Sequence, residues 1–354
     1  MGDDGPMCSL SSEPPPEKER LPQAPGEGAQ LALLANPAAR QGQAAGYVAR
    51  VLDCLRARGV EPLVLDSASS AEAHAAARHV VEQEIPRLVV VGGDGVVHLA
   101  ADAVAGSRTV LGVVAAGTGN DFAAALDLDR DDLEGRVHNA LAEPVAVDLI
   151  ARRPFPVPIG TSHIGTVDRT GGTTHASTVC IAGFPAAVNA RAEAMTLPRG
   201  PSRYTVATLL AIRGMRPTRF RLTCHGGPDD GRVVDQRCAV VAVANTGFFG
   251  GGMRISPDAR PDDGLLDVCL VGDVGRVALL RAFPKVRTGA HLDHPKVIAL
   301  RAAEVDLEIL EPRLDLDGEV RADGEPFGTL PCTLSSRPGA LRVAGAATQP
   351  LGRA

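Results

Sequence analysis

The sequence lacks the short motifs that identify several large classes of protein. No G-x-x-x-x-G-K-[ST] stretch occurs, which excludes a Walker-type phosphate loop. The seven cysteines form no C-x-x-C pair and show no metal-ligand spacing, so we interpret them as reduced structural thiols. The formal net charge is −6, which argues against nucleic acid as a partner bound through bulk electrostatics.

The sequence also has no segment suited to crossing a membrane. The longest uncharged run, residues 170–190, is interrupted by Gly171, Gly172 and Pro185. Residues 1–29 are proline-rich and acidic, with neither a basic start nor an apolar core, so they do not read as a signal peptide. We therefore expect a disordered leader at 1–29 and a cytoplasmic protein.

Two glycine-rich turns are the most informative features present. Gly92-Gly93-Asp94-Gly95 follows an apolar run at 88–91, and Gly117-Thr118-Gly119-Asn120-Asp121 follows another at 110–114. Glycine lets backbone N–H groups approach a ligand, and Asp94 can reach a metal ion or a ribose hydroxyl. The first turn lacks the third glycine of the Rossmann fingerprint, so the pair indicates a nucleotide or phosphate site of another kind. The alternative is that the glycines serve only tight strand–helix turns.

Strand and helix patterns alternate over the first half of the chain. This alternation predicts a parallel, doubly wound sheet in an α/β domain at 30–150, with both glycine turns at the carboxyl ends of strands. The predicted strands are 31–35, 62–65, 88–91 and 110–114, and the predicted helices are 44–58, 71–83, 97–104 and 122–126.

The second half of the chain has a different pattern, with short β-rich runs separated by turn residues. This pattern predicts an antiparallel β domain at 151–346, interrupted by helical segments at 204–213 and 274–288. The predicted strands are 218–224, 237–244, 265–271, 305–309 and 341–343.

Three further clusters carry groups that could do chemistry. Asn36-Pro37 follows the first strand, Asp262-Asp263-Gly264 presents two carboxylates suited to a hard cation such as Mg²⁺, and Asp323-Gly324-Glu325 presents a carboxylate on a tight turn. Taken singly, each is better explained as a strand end or a solvated hairpin. Their order along the chain is more informative.

In this order, with Gly-Thr-Gly-Asn-Asp-Phe-Ala from Gly117 and with Asn245 and Gly250-Gly251-Gly252, the motifs resemble the diacylglycerol kinase catalytic family of lipid kinases. That family includes sphingosine and ceramide kinases, with NAD kinases as distant relatives. The resemblance covers residues 31–345. It implies an N-terminal three-layer α/β domain that binds ATP, a C-terminal antiparallel β-sandwich that binds the lipid, and an active site in the cleft between them.

The resemblance also implies roles for individual residues. Asp94 would act on the phosphates through Mg²⁺ and water, with Asp262 in the same network. Glu325 would be the general base that accepts the proton of the lipid hydroxyl. A structural Mg²⁺ would be held by Asp263 and by the backbone carbonyls of Arg260 and Leu265. The ATP site would be lined by Asn36, Pro37, Ala38, Ala39, Arg40, Ser67, Gly92, Gly93, Asp94, Gly95, Val96, Val97, His98 and Thr118.

Several positions depart from the family pattern. Val96 stands where threonine is usual, Arg40 replaces a glycine, Ala116 replaces a proline, and Pro185 stands where aspartate is common. A second Asp-Gly-Glu, ending at Glu319, precedes the one ending at Glu325, and the Pro-Phe-Gly that follows favours the second copy.

The implied function is an ATP- and Mg²⁺-dependent kinase of diacylglycerol. The alternatives are a kinase of a sphingoid base, ceramide or another lipid alcohol, and a catalytically weak lipid-binding regulatory protein of the same fold. A lipid partner implies peripheral contact with a membrane, and the apolar and arginine-rich segment 203–221 is a candidate for that contact. The alternative for this segment is a helix packed on the β domain. The resemblance also allows a homodimer.

Overall fold

The computed structural model describes residues 29–35, 43–129, 131–154, 174–186, 188, 191, 216–311 and 318–348. Residues 1–28 of the expected leader, the loop from Asn36 to Arg40 and the helix expected at 204–213 lie outside these ranges. No helix among the described residues is both long and apolar enough to span a bilayer.

The first domain is built on four parallel strands in the order β2-β1-β3-β4. The strands are β1 (Ala32–Ala35), β2 (Leu63–Leu65), β3 (Arg87–Gly92) and β4 (Val110–Ala115). The helices are α1 (Gln43–Arg56), α2 (Ser70–Glu82), α3 (Asp94–Val104), α4 (Asp121–Ala125) and α5 (Leu133–Leu141). The Ser69 side chain caps α2 by accepting a hydrogen bond from the Glu72 N–H.

Helices cover both faces of this sheet, because alternate side chains of a strand point to opposite sides. In β1, Leu33 packs with residues of α1 and α5, whereas Leu34 packs with residues of α2 and α3. Every residue of β4 is buried. The expected three-layer α/β domain is therefore confirmed.

The second domain is antiparallel and rich in β structure. Its strands run β7-β9-β8-β14-β17, with β15 and β16 beyond β7 and with β12 joining β9 to β13. The strands are β5 (Pro144–Pro154), β6 (His175–Ala176), β7 (Val179–Gly183), β8 (Thr218–His225), β9 (Val233–Ala244), β10 (Phe248–Phe249), β11 (Met253–Arg254), β12 (Leu266–Gly272), β13 (Val297–Ala302), β14 (Glu304–Ile309), β15 (Glu319–Ala322), β16 (Glu325–Thr329) and β17 (Cys332–Ala344). A helix, α6 (Arg276–Val286), and a 3-10 helix (Ala290–Asp293) lie between β12 and β13. The expected all-β second part is confirmed.

Two long strands join the domains. β5 and β17 pair with each other in antiparallel fashion along most of their length. One end of β17 pairs with β14 of the β domain, and near its other end Arg342 and Val343 pair in parallel with β4. The last strand of the chain therefore extends the first domain's sheet and ties the two domains together.

Candidate active site

The two glycine turns pack directly against each other. They connect β3 to α3 and β4 to α4, at the carboxyl ends of neighbouring parallel strands. A Cβ added to Gly117 would lie 2.5 Å from the Gly93 Cα atom, so only glycine fits there. Asn120 closes the second turn by accepting a hydrogen bond from the Gly117 N–H and donating one to the Gly117 carbonyl.

We expect Gly117→Ala to disrupt this contact. The added methyl group meets backbone rather than a flexible side chain, so the two turns must separate, and we expect a loss of about 1–3 kcal/mol in the free energy of unfolding. Gly46→Ala in α1 is the matched control, because nothing lies within 4 Å of its added Cβ. A helix interior favours alanine over glycine, so the control should be neutral or stabilising. Chemical denaturation of both variants measures the effect, and equal stability of the two variants would contradict the packing argument.

The surroundings of the Asp94 carboxyl group disfavour its ionised form. Burial, followed by the negative charge of Asp121, raises the pKa of Asp94 to about 6. The Phe122 N–H donates a hydrogen bond of 3.3 Å to Asp94 Oδ1 and partly offsets this effect. A Cβ on Gly119 would lie 2.7 Å from Asp94 Oδ2, so this glycine leaves the carboxylate room.

The raised pKa predicts that Asp94→Asn stabilises the ligand-free protein. The folded state holds the Asp94 proton up to about pH 6, whereas the unfolded chain releases it near its ordinary value of 3.8, so ionisation of Asp94 destabilises the fold as pH rises through this window. We expect the variant to be more stable by about 1–2 kcal/mol near pH 8, with the difference disappearing below about pH 4. Urea unfolding at both pH values in a chelating buffer measures it. A difference that does not depend on pH would refute the explanation.

Asp121 connects the first domain to the second. Its buried carboxylate accepts hydrogen bonds from the N–H groups of Gly251 and Gly252, at 2.9 and 2.7 Å. Gly250, Gly251 and Gly252 all have positive φ angles (62°, 82° and 92°), a conformation that favours glycine. Burial raises the pKa of Asp121, and these two N–H groups act against the rise.

The turn between β15 and β16 carries Asp323-Gly324-Glu325. The Asp323 carboxylate is buried and accepts hydrogen bonds from the backbone and hydroxyl groups of Ser177 and Thr178. It also pairs with His98 Nδ1 of α3 at 2.7 Å. Burial alone would raise the pKa of Asp323, but the hydrogen bond and charge of His98 hold it at about 2. Burial would likewise lower the pKa of His98, and the bond to Asp323 raises it overall.

Glu325 is exposed on this turn and faces the first domain. A Cβ on Gly95 would lie 2.9 Å from Glu325 Oε1, so the first glycine turn and this carboxylate are neighbours. The competing Glu319 has a different environment. Its Oε1 accepts a 2.6 Å hydrogen bond from the buried Arg321, whose other nitrogen bonds the Gly324 carbonyl.

The Asp-Asp-Gly loop lies beside the β5–β17 pair. The Asp262 carboxylate accepts hydrogen bonds from Arg260 Nε at 3.1 Å and from the Thr348 hydroxyl at 2.6 Å. Asp263 accepts hydrogen bonds from Arg301 and from the Leu265 N–H. The carboxylates whose charge raises the pKa of Asp94 are Asp121 and Asp323. The link between Asp94 and Asp262 stays a prediction.

The remaining predicted ATP-site residues occupy different environments. Thr118 is exposed on the second turn. Val96 and Val97 belong to the first turn of α3 and are buried in the hydrophobic core. His98 is also buried, beside Phe327, and bonds Asp323 rather than facing open solvent. Ser67 follows β2, and its buried Oγ has no hydrogen-bond partner among the described residues.

Three acids outside the predicted set of site residues, Asp121, Asp323 and Asp148, make hydrogen bonds that hold the loops of the site in place. Asp121 and Asp323 were visible as members of the two motifs. Asp148 interrupts the apolar run of β5. An acid within such a run indicates a side chain with specific hydrogen-bond partners. Its Oδ1 and Oδ2 accept hydrogen bonds from the N–H groups of Gly339 and Gly264, at 2.8 and 2.7 Å, so it fixes the Asp-Asp-Gly loop to β17.

Comparison with known proteins identifies the family. The diacylglycerol kinase catalytic domain matches residues 30–151, and the YegS C-terminal NAD kinase β-sandwich-like domain matches residues 178–345. Diacylglycerol kinase of Mycobacterium tuberculosis is 31% identical over 314 residues, covering 88% of this chain and 94% of that relative. Diacylglycerol kinase of Bacillus subtilis is 23% identical over 293 residues, covering 81% of this chain and 88% of that relative.

A solved structure shows the same fold. The crystal structure of a diacylglycerol kinase from Bacillus anthracis matches with a TM-score of 0.64 at 18% identity, covering 89% of this chain and 96% of that one. The sequence matches place the chain in the diacylglycerol kinase family. The protein is therefore an enzyme of the lipid kinase class.

Proposed function

We propose that this enzyme transfers the γ-phosphoryl group of ATP to the free hydroxyl of diacylglycerol, giving phosphatidic acid and ADP. The observation that carries the proposal is the closeness of Glu325 to Gly95. It places an exposed carboxylate of the second domain beside a glycine turn of the first domain. The relatives described above, which are named diacylglycerol kinases, support the choice of substrate.

The first domain supplies the nucleotide side of the site. Backbone N–H groups at the two glycine turns can contact phosphate oxygens, since no Cβ stands in the way at Gly93, Gly95 or Gly117. Ser67, whose buried Oγ has no hydrogen-bond partner among the described residues, lies at the same carboxyl edge of the sheet. Phosphoryl transfer depends mainly on positioning and charge neutralisation, so the missing Walker lysine does not weaken the proposal.

The second domain supplies the acceptor side. A primary hydroxyl is a poor nucleophile, and a positioned carboxylate helps by accepting its proton. Glu325 takes that proton as the new bond forms between the hydroxyl oxygen and the γ-phosphorus. The bond between the γ-phosphorus and the β,γ-bridging oxygen breaks, and its electron pair leaves with ADP. Exposure of Glu325 leaves it free to meet the hydroxyl.

Asp94 and Asp121, the acids near the glycine turns, are the residues that would hold a Mg²⁺ ion there. Asp94 and Asp121 lie close enough for the charge of Asp121 to raise the pKa of Asp94, and Mg²⁺ commonly takes one or two carboxylates together with waters and substrate phosphates. No three His, Cys, Asp or Glu side chains form a ready metal site within the described part of the chain. Bound Mg²⁺ would neutralise negative charge on the phosphates.

A panel of lipids tests the substrate. The enzyme is incubated with γ-³²P-labelled ATP, Mg²⁺ and diacylglycerol, sphingosine or ceramide in mixed micelles, and the lipid products are separated. We expect label in phosphatidic acid, and none after Glu325→Ala. Label on sphingosine or ceramide alone would replace the proposed substrate with another lipid alcohol. No transfer to any lipid, combined with measurable lipid binding, would favour a regulatory protein that keeps the fold.

A further inference from the structure

Helix α6 lies on the outside of the β domain and has one face that packs inward. Leu279 packs against the cluster formed by Ala239, Val240 and Val274. Val286, seven residues later, packs against a second cluster that includes residues of β7, β9 and β12. Because residues seven apart share a helix face, these contacts fix which side of α6 points away from the protein.

The outward side of α6 is apolar at its centre. Val277 is 60% exposed and Leu280 is 44% exposed, and they lie three residues apart on one face. These are two of the four large hydrophobic side chains that are exposed within the described ranges. Their concentration on a single helix marks a surface that is adapted to contact something apolar.

Cations flank this apolar centre. Arg276, Arg281, Lys285 and Arg287 are all exposed. Helical spacing puts Arg281 and Lys285 on one side of Val277, and Arg276 and Arg287 on the other side. The sequence has no Asp or Glu from 274 to 292, although the whole chain carries a net charge of −6. The nearest acids, Asp273 and Asp293, lie at the two ends of this segment.

We propose that this face of α6, defined by Val277 and Leu280 and the four flanking cations, docks the enzyme on an anionic membrane surface. An apolar centre bordered by Lys and Arg is the arrangement by which a helix lies in the headgroup region of a bilayer. Each cation adds attraction to anionic lipid. The inference rests on the proposed function in one respect, since diacylglycerol is dissolved in the bilayer and the kinase must reach it there.

Charge argues against the other obvious occupant, a second copy of the chain. In a symmetric dimer this face would meet itself, which would bring eight cations together with no carboxylate from the same segment to balance them. The segment 203–221, predicted from sequence as a membrane contact, differs where it is described. Its Arg219 and Arg221 both bond Asp235, so part of their charge is neutralised.

Vesicle binding by the full chain tests the docking surface. The wild type is compared with the double variant Val277→Asp/Leu280→Asp and with Arg281→Glu, on phosphatidylcholine vesicles with and without phosphatidylglycerol. We expect binding only where phosphatidylglycerol is present, and a loss of about tenfold or more in each variant. Matched controls are Val233→Asp, at a valine that is 56% exposed on β9, and Arg50→Glu, on the exposed side of α1. Both controls should bind like the wild type.

Two results would overturn the proposal. One is equal vesicle binding by the wild type and the α6 variants, or an equal loss in the controls. The other is a change from dimer to monomer in the α6 variants, measured by light scattering, without a change in vesicle binding; that result would assign the face to a second copy. Thermal melting checks that the variants are folded.

A kinase assay separates this proposal from the proposed function. With short-chain diacylglycerol dispersed in detergent, the α6 variants should match the wild type, whereas with long-chain diacylglycerol in vesicles they should be slower by about the same factor as their loss of binding. If the wild type phosphorylates no diacylglycerol but binds vesicles as expected, the substrate assignment fails and the docking surface stands. Loss of the variants' activity on the detergent-dispersed lipid as well would contradict a role limited to docking.

Discussion

Replacing Glu325 with glutamine should lower kcat for lipid phosphorylation by roughly 10²- to 10⁴-fold, the usual contribution of a positioned general base. Glutamine keeps the size of the side chain and one oxygen, but it cannot accept the proton. The residue stands on an exposed turn, so we expect little change in stability. Steady-state kinetics with varied diacylglycerol and varied ATP measure the effect, and the loss should appear in kcat rather than in the KM for ATP.

Glu319→Gln is the matched control for that prediction. Both glutamates end an Asp-Gly-Glu, but Glu319 is bonded by Arg321 at 2.6 Å, whereas Glu325 lies next to Gly95. Glutamine at 319 retains an oxygen that can accept the Arg321 bond, so activity should stay within a few-fold of wild type. A severe loss in Glu319→Gln, with robust activity in Glu325→Gln, would move the role of the base to Glu319.

Replacing Asp323 with alanine should destabilise the protein by about 3–5 kcal/mol, the cost of removing one partner of a buried ion pair. The side chains of His98 and Asp323 are 1% and 2% exposed. Without the carboxylate, His98 and the donors at Ser177 and Thr178 are left unsatisfied in a place that water does not reach. Equilibrium unfolding in urea measures the loss. Asp323→Asn, which keeps an acceptor oxygen, should recover part of it.

The same pair predicts a pH window for stability. The lowered pKa of Asp323 gives a contribution that is complete above its ordinary value of 3.8 and is lost as pH falls through about 2. The raised pKa of His98 gives a contribution that is complete below its ordinary value of 6.5 and is lost as pH rises past its folded value. The effect of Asp323→Ala should therefore be greatest between about pH 4 and pH 6.5.

A surface pair is the control for this prediction. Asp235→Ala removes a carboxylate that is bonded by the exposed Arg219 and Arg221, and solvent screens such contacts. We expect a much smaller loss of stability with little dependence on pH. If Asp323→Ala lowers the free energy of unfolding no more than this control does, the buried pair does not hold the two domains together.

Local features could be predicted well from the sequence. Strand β3 and the turn after it follow from an apolar run ended by glycines. The serine pair Ser69-Ser70 before a helical pattern indicates an N-cap at one of the two, and the structure assigns it to Ser69. The helix predicted at 274–288 is observed as α6, from Arg276 to Val286. These features depend on neighbours in the chain, and periodicity and turn chemistry report such neighbours directly.

Contacts between distant residues could not be predicted in the same way. His98 and Asp323 are 225 positions apart, and no periodicity connects them. The run at 341–343 was expected to be a strand, but its extension back to Cys332 and its parallel pairing with β4 depend on how the domains meet. The sequence pattern does not indicate helix α5, since only Val137 and Ala140 of its nine residues are buried.

The proposed site is divided between two domains, with nucleotide binding in the first and proton transfer in the second. The ATP affinities of one variant in each domain therefore test this division most directly. Gly117 belongs to the turns that are proposed to seat the nucleotide, and Glu325 belongs to the domain that is proposed to handle the proton. Calorimetric titration with ATP and Mg²⁺ in the absence of lipid should show wild-type affinity for Glu325→Gln and clearly weaker affinity for Gly117→Ala. Loss of ATP affinity in Glu325→Gln, with full affinity in Gly117→Ala, would contradict the account.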